Sequence, residues 1–266
     1  MRSKALLLIT TATAIRPTTR RAALGAVFTP TAAVAYDAAN YDRYAGSYDD
    51  LDGGQAANAL GIAAARRNLA ARCAGRVLEV GAGTGLQAPF YAGNSDIKEV
   101  TFVDASRGML DGLRAKLSNA PLPFKTEVVE ADAARLPSKS ETYDVVVDTF
   151  GLCVYDEPVA VLRELGRVVK PAGRILLLEN ARPSNAFLGA YLCGNQCRVD
   201  GVGRPKFDFQ IGAYVDATAG AVAKYGGKGC RYDQDVEALA RSAGLRVVRS
   251  ERFGGGFFGS FELAPG

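Results

Sequence analysis

The 266-residue sequence predicts an α/β, doubly wound domain: a mostly parallel seven-stranded sheet with helices on both faces and one antiparallel edge strand. Three observations predict it. Short β-branched runs alternate with helical stretches from residue 37 onward, the pattern of strands joined by crossover helices. The runs VVV (145–147) and ILLL (175–178) show no polar alternation, as strands buried on both faces do. A glycine turn, GAGTG (81–85), joins the first run to the next helical stretch.

The elements follow in order. An Ala-rich stretch, 55–72, reads as a helix. Strands are expected at Arg76–Val80, Val100–Val103, Thr126–Val129, Tyr143–Asp148, Arg174–Leu178 and Arg246–Ser250. Helices are expected at Leu86–Tyr91, Ser106–Leu117, Glu157–Val169 and Asp233–Ala243. Pro171-Ala172-Gly173 ends one helix and returns the chain to a strand, and Gly244 caps another. The tail Phe253–Glu262 follows the last run closely enough to be its hairpin partner and supply the antiparallel edge. Residues 181–232 are irregular, with one helix expected over 211–225, and read as an insertion or lid.

Composition narrows the chemistry. Hydrophobic residues make up 48% and charged residues 23%, the balance of a globular domain. No apolar run approaches the ~20 residues of a membrane span, which leaves peripheral membrane association open. There is no histidine, which excludes histidine bases, Ser-His-Asp triads and His-metal sites. Five cysteines are too few and too scattered for a disulfide framework; Cys193 and Cys197 read as free buried cysteines, and no metal site is expected.

The net charge of +4 is unevenly placed. Residues 1–36 hold Arg2, Lys4, Arg16, Arg20 and Arg21 and no acid, so the remainder is close to neutral and a nucleic-acid partner is not expected. This basic, Thr- and Ala-rich segment has the composition of an organellar targeting sequence. Its twin arginine, moderate apolar run and Ala33-Val34-Ala35 favour a chloroplast, thylakoid-type signal, with a mitochondrial presequence as the alternative. The working domain is then 37–266.

Four elements carry the chemistry, each at the carboxyl end of an expected strand, where open α/β sheets bind ligands. The first is the turn Gly81, Gly83, Gly85, which lets backbone approach a ligand closely at a helix N-terminus. Its spacing is G-x-G-x-G, and Leu86 stands where a dinucleotide fingerprint needs glycine. The second is Asp104, placed to accept from ribose hydroxyls or to cap the helix that follows. The third is Asp132 with Ala133, suited to an adenine edge, and the fourth is Asp148-Thr149 with Phe150 to Cys153.

At these residues the chain resembles the class I S-adenosylmethionine-dependent methyltransferases, a Rossmann-like family, and within it the type-11 domain group that includes ubiquinone/menaquinone C-methyltransferases and small organellar members. The resemblance spans about 41–262 and rests on YDRYAGSYDDLDGG (41–54), LEVGAGTGL (78–86), VDASRGML (103–110), EADAARLP (130–137), VDTFGLC (147–153) and VLRELGRVVKPAGRILLLEN (161–180). It implies S-adenosyl-L-methionine as cofactor. By position it implies that Glu79, Gly81, Ala82, Gly83 and Gly85 lie under the methionine part. Asp104 would hold the ribose, Met109 would pack on the adenine, Asp132 and Ala133 would read its edge, and Ala105 and Asp148 would also line the cofactor site. Thr149 and Cys153 would lie near the sulfonium, with Tyr41 and Tyr48 on a helix that covers the cofactor. Core packing is the competing reading of both tyrosines.

One departure bears on mechanism. Related sequences commonly carry histidine where this chain has Asn180, after Leu178-Glu179. Catalytic candidates are therefore Asp148, Thr149 and Glu179, with Tyr155 as a further base. Without a histidine base, a thiol, amine or quinol-like carbon of a small-molecule acceptor is favoured over a plain alcohol. The alternative is an organellar assembly protein that keeps the fold without turnover. A nicotinamide oxidoreductase is disfavoured by Leu86 and by the missing Tyr-x-x-x-Lys pair.

Overall fold

The computed structural model describes residues 38–52, 55–181, 198–199, 205–206 and 234–266. The expected targeting segment, the helix over 211–225, Cys193 and Cys197 lie outside the described residues. Described elements run α1 (Ala38–Tyr44), α2 (Tyr48–Asp52), α3 (Gln55–Ala59), α4 (Ile62–Ala70), β1 (Gly75–Val80), α5 (Ala88–Tyr91), β2 (Ile97–Asp104) and α6 (Arg107–Asn119). They continue with β3 (Lys125–Glu130), β4 (Tyr143–Thr149), α7 (Pro158–Val168), β5 (Val169–Asn180), β6 (Arg198–Val199), β7 (Pro205–Lys206), α8 (Val236–Ser242), β8 (Leu245–Phe253) and β9 (Phe258–Pro265).

The main sheet has seven strands in the order β3-β2-β1-β4-β5-β9-β8. β1 to β5 pair in parallel, and β9 runs antiparallel to both β5 and β8. The antiparallel strand therefore sits one place in from the edge, with β8 outermost. From β1 the chain winds outward to β2 and β3, then crosses back to lay β4 against the other side of β1. That reversal opens a crevice at the carboxyl ends of β1 and β4.

Apolar runs without alternation do feed two cores. Val145 and Val147 of β4 and Leu176 and Leu178 of β5 face the layer of α4, α5 and α6, where Leu69, Tyr91, Leu110 and Leu113 are buried. Val146, Ile175 and Leu177 face the other layer, with Val161, Leu162, Leu165 and Val168 of α7 and Val236 and Ala240 of α8. The α7 positions recur at helical spacing, which is why this stretch is helical and which face it buries.

The long helix expected over 55–72 is broken. Gly61 takes a left-handed φ of 82° and starts α4 as a separate helix. β5 begins earlier than expected: Tyr143 pairs with Val169 and Val145 with Arg174, so Pro171-Ala172-Gly173 bulges out of a continuing strand rather than ending a helix before it.

Phe261 on β9 is buried among β5 and β8 neighbours. We expect Phe261→Ala to lower unfolding stability by ~3–5 kcal/mol in chemical denaturation, as truncation of a core aromatic does. A cost under ~1 kcal/mol would mean β9 is a loose appendage.

Candidate active site

The site is assembled where the sheet reverses. β1 ends in Glu79, which is buried, and leads into the glycine turn, where Gly81, Gly83 and Gly85 have φ of 57°, 55° and 82°. A side chain at Gly85 would also run into Leu113, so the turn can close onto α6 only with glycine there. Asp104 ends the neighbouring β2. One of its oxygens accepts from the Gly83 N–H (2.8 Å) and the other from the Ser106 N–H (2.9 Å). The cap of α6 is Ser106, whose hydroxyl accepts from the Met109 N–H at 3.2 Å. Asp104 thus fixes the turn to the start of α6.

Across the reversal, β4 ends in Asp148 and Thr149, both buried. The chain then turns at Phe150, whose φ of 65° is rare for a residue with a side chain and costs ~1–3 kcal/mol. The turn aims the Gly151 N–H at two carboxylates at once: Asp148 Oδ1 at 3.0 Å and Glu179 Oε1 at 3.1 Å. Glu179 Oε1 also accepts from the Leu152 N–H at 3.3 Å. A side chain at Gly81 or Gly151 would strike the Tyr155 hydroxyl, so Tyr155 lies between the two turns. Cys153 is buried and points its Sγ at the Phe150 carbonyl, 3.5 Å away.

Arg66 on α4 enters the same region. Its Nη1 donates to Thr149 Oγ1 (3.0 Å) and Gln87 Oε1 (3.4 Å), and its guanidinium stacks 5.5 Å from the Phe150 ring centroid. Gln87 returns a bond from Nε2 to the Arg66 carbonyl at 3.0 Å. On its far side Phe150 meets Phe258 edge-on, so the strained turn is held from both faces.

Two short acidic anchors tie the N-terminal helices over the crevice. Asp42 on α1 accepts from Ser106 Oγ (2.7 Å) and the Gly108 N–H (2.8 Å), which hold its carboxyl below the usual carboxylate range. Asp49 on α2 accepts from Thr84 Oγ1 at 2.6 Å and pairs with Lys116. Tyr48 then lies over Gly83, with Cε1 3.8 Å from where a Cβ would stand. Tyr41, Tyr44 and Tyr48 stack edge to face in sequence.

Every described candidate from the sequence lies at this end of the sheet; Asp132 and Ala133 follow β3, where the Ala131 N–H donates to the Asp104 carbonyl at 3.0 Å. Asp132 is exposed and accepts from the Ala134 N–H at 2.8 Å, while Ala133 is buried. Met109 and Ala82 are buried, Ala105 is half-buried, and Asn180 is buried at the end of β5. Sequence reasoning missed Arg66, Gln87, Asp42 and Asp49. For Arg66 a signal existed: it stands four residues after Ile62 and three before Leu69, on the stripe that α4 buries.

Burial dominates the electrostatics. Glu79 is pushed up to about 7 by burial; Tyr91 and Arg66 oppose the shift and Asp104 adds to it. Asp148 is pushed up to about 8 by burial, against the Gly151 N–H and with help from Glu79 and Asp104. Among the described residues, Glu79 Oε2 and Asp148 Oδ2 are buried with no hydrogen-bond partner. Such atoms are costly unless a cation or donor meets them. A cation or hydrogen-bond donor entering the crevice would meet both atoms.

Both carboxyls bind protons more tightly in the folded chain than in the unfolded one. From the ordinary carboxylate range up to about 8 the folded state keeps protons that the unfolded state has released. Stability therefore falls as pH rises through that window and levels off above it. We expect the urea midpoint to drop between about pH 5.5 and 8.5 by the equivalent of ~2–4 kcal/mol, and Glu79→Gln with Asp148→Asn to flatten the drop. An unchanged wild-type midpoint would contradict the burial of these charges.

Comparison with known proteins bears directly on this arrangement. The Methyltransferase domain family matches residues 78–177, from β1 through β5. Methyltransferase OMS1, mitochondrial, of Saccharomyces cerevisiae is 32% identical over 142 residues, which is 48% of this chain and 30% of that protein. The ubiquinone/menaquinone biosynthesis C-methyltransferase UbiE of Syntrophotalea carbinolica is 37% identical over 131 residues, 49% of this chain and 54% of that protein. The matches thus span about half or less of these relatives' own length. A crystal structure of a SAM-dependent methyltransferase from Aquifex aeolicus shares the fold, with a TM-score of 0.54 at 19% identity over 86% of this chain and 98% of that one. The glycine turn, Asp104 and the buried acids all fall within or beside the stretch that matches the Methyltransferase domain family.

Proposed function

We propose that this chain transfers a methyl group from S-adenosylmethionine to a small-molecule acceptor, a thiol, an amine or a quinol-like carbon. The observation that carries the reading is the pair of buried, partly unpartnered acids, Glu79 and Asp148, on either side of a glycine turn at the sheet reversal. A cationic sulfonium with an ammonium group is the complement of that site, and when bound it supplies an electrophilic methyl group. Gly81, Ala82, Gly83 and Gly85 would carry the methionine part with Glu79 facing its ammonium. Asp104 would accept from the ribose, Met109 and Ala105 would flank the adenine, and Asp132 and Ala133 would read its edge. Tyr48 would close the site over Gly83.

The acceptor side falls to Asp148, Thr149, Glu179 and Tyr155, none of which is a histidine. Thr149 spends its oxygen on Arg66, which suits a positioning role. Asp148 and Glu179 can hold a proton, enough for a thiol, an amine or an activated carbon acid. The UbiE relative is a ubiquinone/menaquinone biosynthesis C-methyltransferase, which supports the carbon acceptor among these. Among the described residues no helix is long and apolar enough to cross a membrane. We place the protein in an organelle on the basic, acid-free composition of residues 1–36. The mitochondrial name of the yeast relative supports the mitochondrion over the chloroplast that composition favours.

Calorimetry on the full chain tests the reading. Saturable S-adenosylmethionine binding is expected, weakened ~10–100-fold in Asp104→Ala, which removes charge-assisted hydrogen bonds. Gly83→Arg should abolish it, since it strains a left-handed backbone and puts a long side chain between the turn and Tyr48. A folded wild type that binds no S-adenosylmethionine would overturn the proposal and leave the assembly-protein reading.

A further inference from the structure

Asp148 is set apart from the other acids of the crevice by what surrounds it. It ends β4 in register with Val80 of β1 and is fully buried. Oδ1 takes the Gly151 N–H and stands 3.7 Å from where a Cβ on Gly81 would be, so the carboxyl borders the glycine turn directly. Oδ2 has no partner among the described residues. The groups that face it are Glu79 from β1, Asp104 from β2, Glu179 from β5, which shares the Gly151 N–H, and the Tyr155 hydroxyl from the segment after β4. A cation nearby, Arg66 of α4, donates from Nη1 to Thr149 and Gln87. Among the described residues carboxylates outnumber cations here, and Asp148 is the one on the β4 turn that carries Thr149 and Gly151.

We infer that Asp148 is the proton acceptor of methyl transfer and that the cofactor's charge sets its protonation: protonated in the empty site, ionised beside the bound sulfonium, and protonated again as the reaction consumes that charge. The inference rests on the methyltransferase reading. In the step, the methyl carbon bonds to the acceptor atom, the C–S electron pair returns to sulfur, and the proton displaced from the acceptor atom ends on Asp148. Atoms and charge balance without a further reactant. The empty-site state follows from burial, which holds the carboxyl at about 8 and so protonated at neutral pH. A positive charge within ~4–6 Å lowers a carboxyl's proton affinity by ~10–1,000-fold, enough to ionise it near neutrality. Once the sulfonium has become a neutral thioether, that pull is gone and the acid takes a proton back. The same cycle favours release of the product, which no longer answers an anionic carboxylate.

The test compares S-adenosylmethionine with S-adenosylhomocysteine, which lacks the sulfonium charge, by calorimetry on the full chain. Titrations near pH 7 in two buffers of different ionisation enthalpy give the protons released on binding. We expect S-adenosylmethionine to release up to about one proton more than S-adenosylhomocysteine, and Asp148→Asn to remove the difference. The ratio of the two affinities in wild type, which needs no variant, should shift toward S-adenosylmethionine by up to ~10-fold per pH unit between about pH 5.5 and 7.5. Equal proton release for the two ligands, a pH-independent affinity ratio, or a difference that persists in folded Asp148→Asn would overturn the inference while leaving cofactor binding intact. Failure of wild type to bind either ligand would instead overturn the methyltransferase reading, and this inference with it.

Discussion

The structure depends on a constraint at one end of its sheet: acids that close strands β1 and β4 are buried next to each other, each with an oxygen that finds no hydrogen-bond partner among the described residues. A fold tolerates this where a ligand supplies what is missing. Doubly wound topology creates the place, since β1 and β4 are neighbours whose chains depart in opposite directions and leave their carboxyl ends uncovered. The glycine turn exists to keep that space open. A side chain at Gly81 or Gly151 would fill the gap against Tyr155, and one at Gly85 would push α6 away.

Around this site other contacts serve to hold geometry. Asp104 joins the glycine turn to the start of α6 through two backbone N–H bonds, which ties the two walls of the crevice together. Asp42 and Asp49 clamp the N-terminal helices to α6 and to the turn, which carries Tyr48 to a position above Gly83. Arg66 and Phe258 hold Phe150 between them, and that left-handed residue is what aims the Gly151 N–H at both Asp148 and Glu179. The tail turn after β8 therefore bears on the reaction centre through Phe258, beyond its part in the hairpin.

Much of this was legible in the sequence, because the physics involved is local or periodic. Runs such as VVV and ILLL can be buried only on two faces, and GAGTG after a strand can only be a tight turn into a helix. What escaped depended on tertiary context. The Ala-rich stretch over 55–72 has high helix propensity throughout, so the break at Gly61 follows from packing and not from propensity. Pro171-Ala172-Gly173 reads as a terminator, yet a parallel strand absorbs it as a bulge. Arg66 sits in an Arg pair that reads as solvated, and only its phase relative to Ile62 and Leu69 marks it as the buried one. The protonation of Glu79 and Asp148 was out of reach because it comes from depth, which the sequence does not encode locally.

The central claim is that burial makes these two acids keep their protons far above the ordinary carboxylate range until a cation meets them. Carboxyl-carbon NMR on selectively labelled protein, titrated without ligand, measures it directly. The account predicts that the Glu79 and Asp148 resonances stay in their protonated positions through the ordinary carboxylate range and titrate near about 7 and about 8, with Glu79→Gln and Asp148→Asn assigning each signal. Titration of both signals near pH 4, like that of exposed carboxylates, would contradict it.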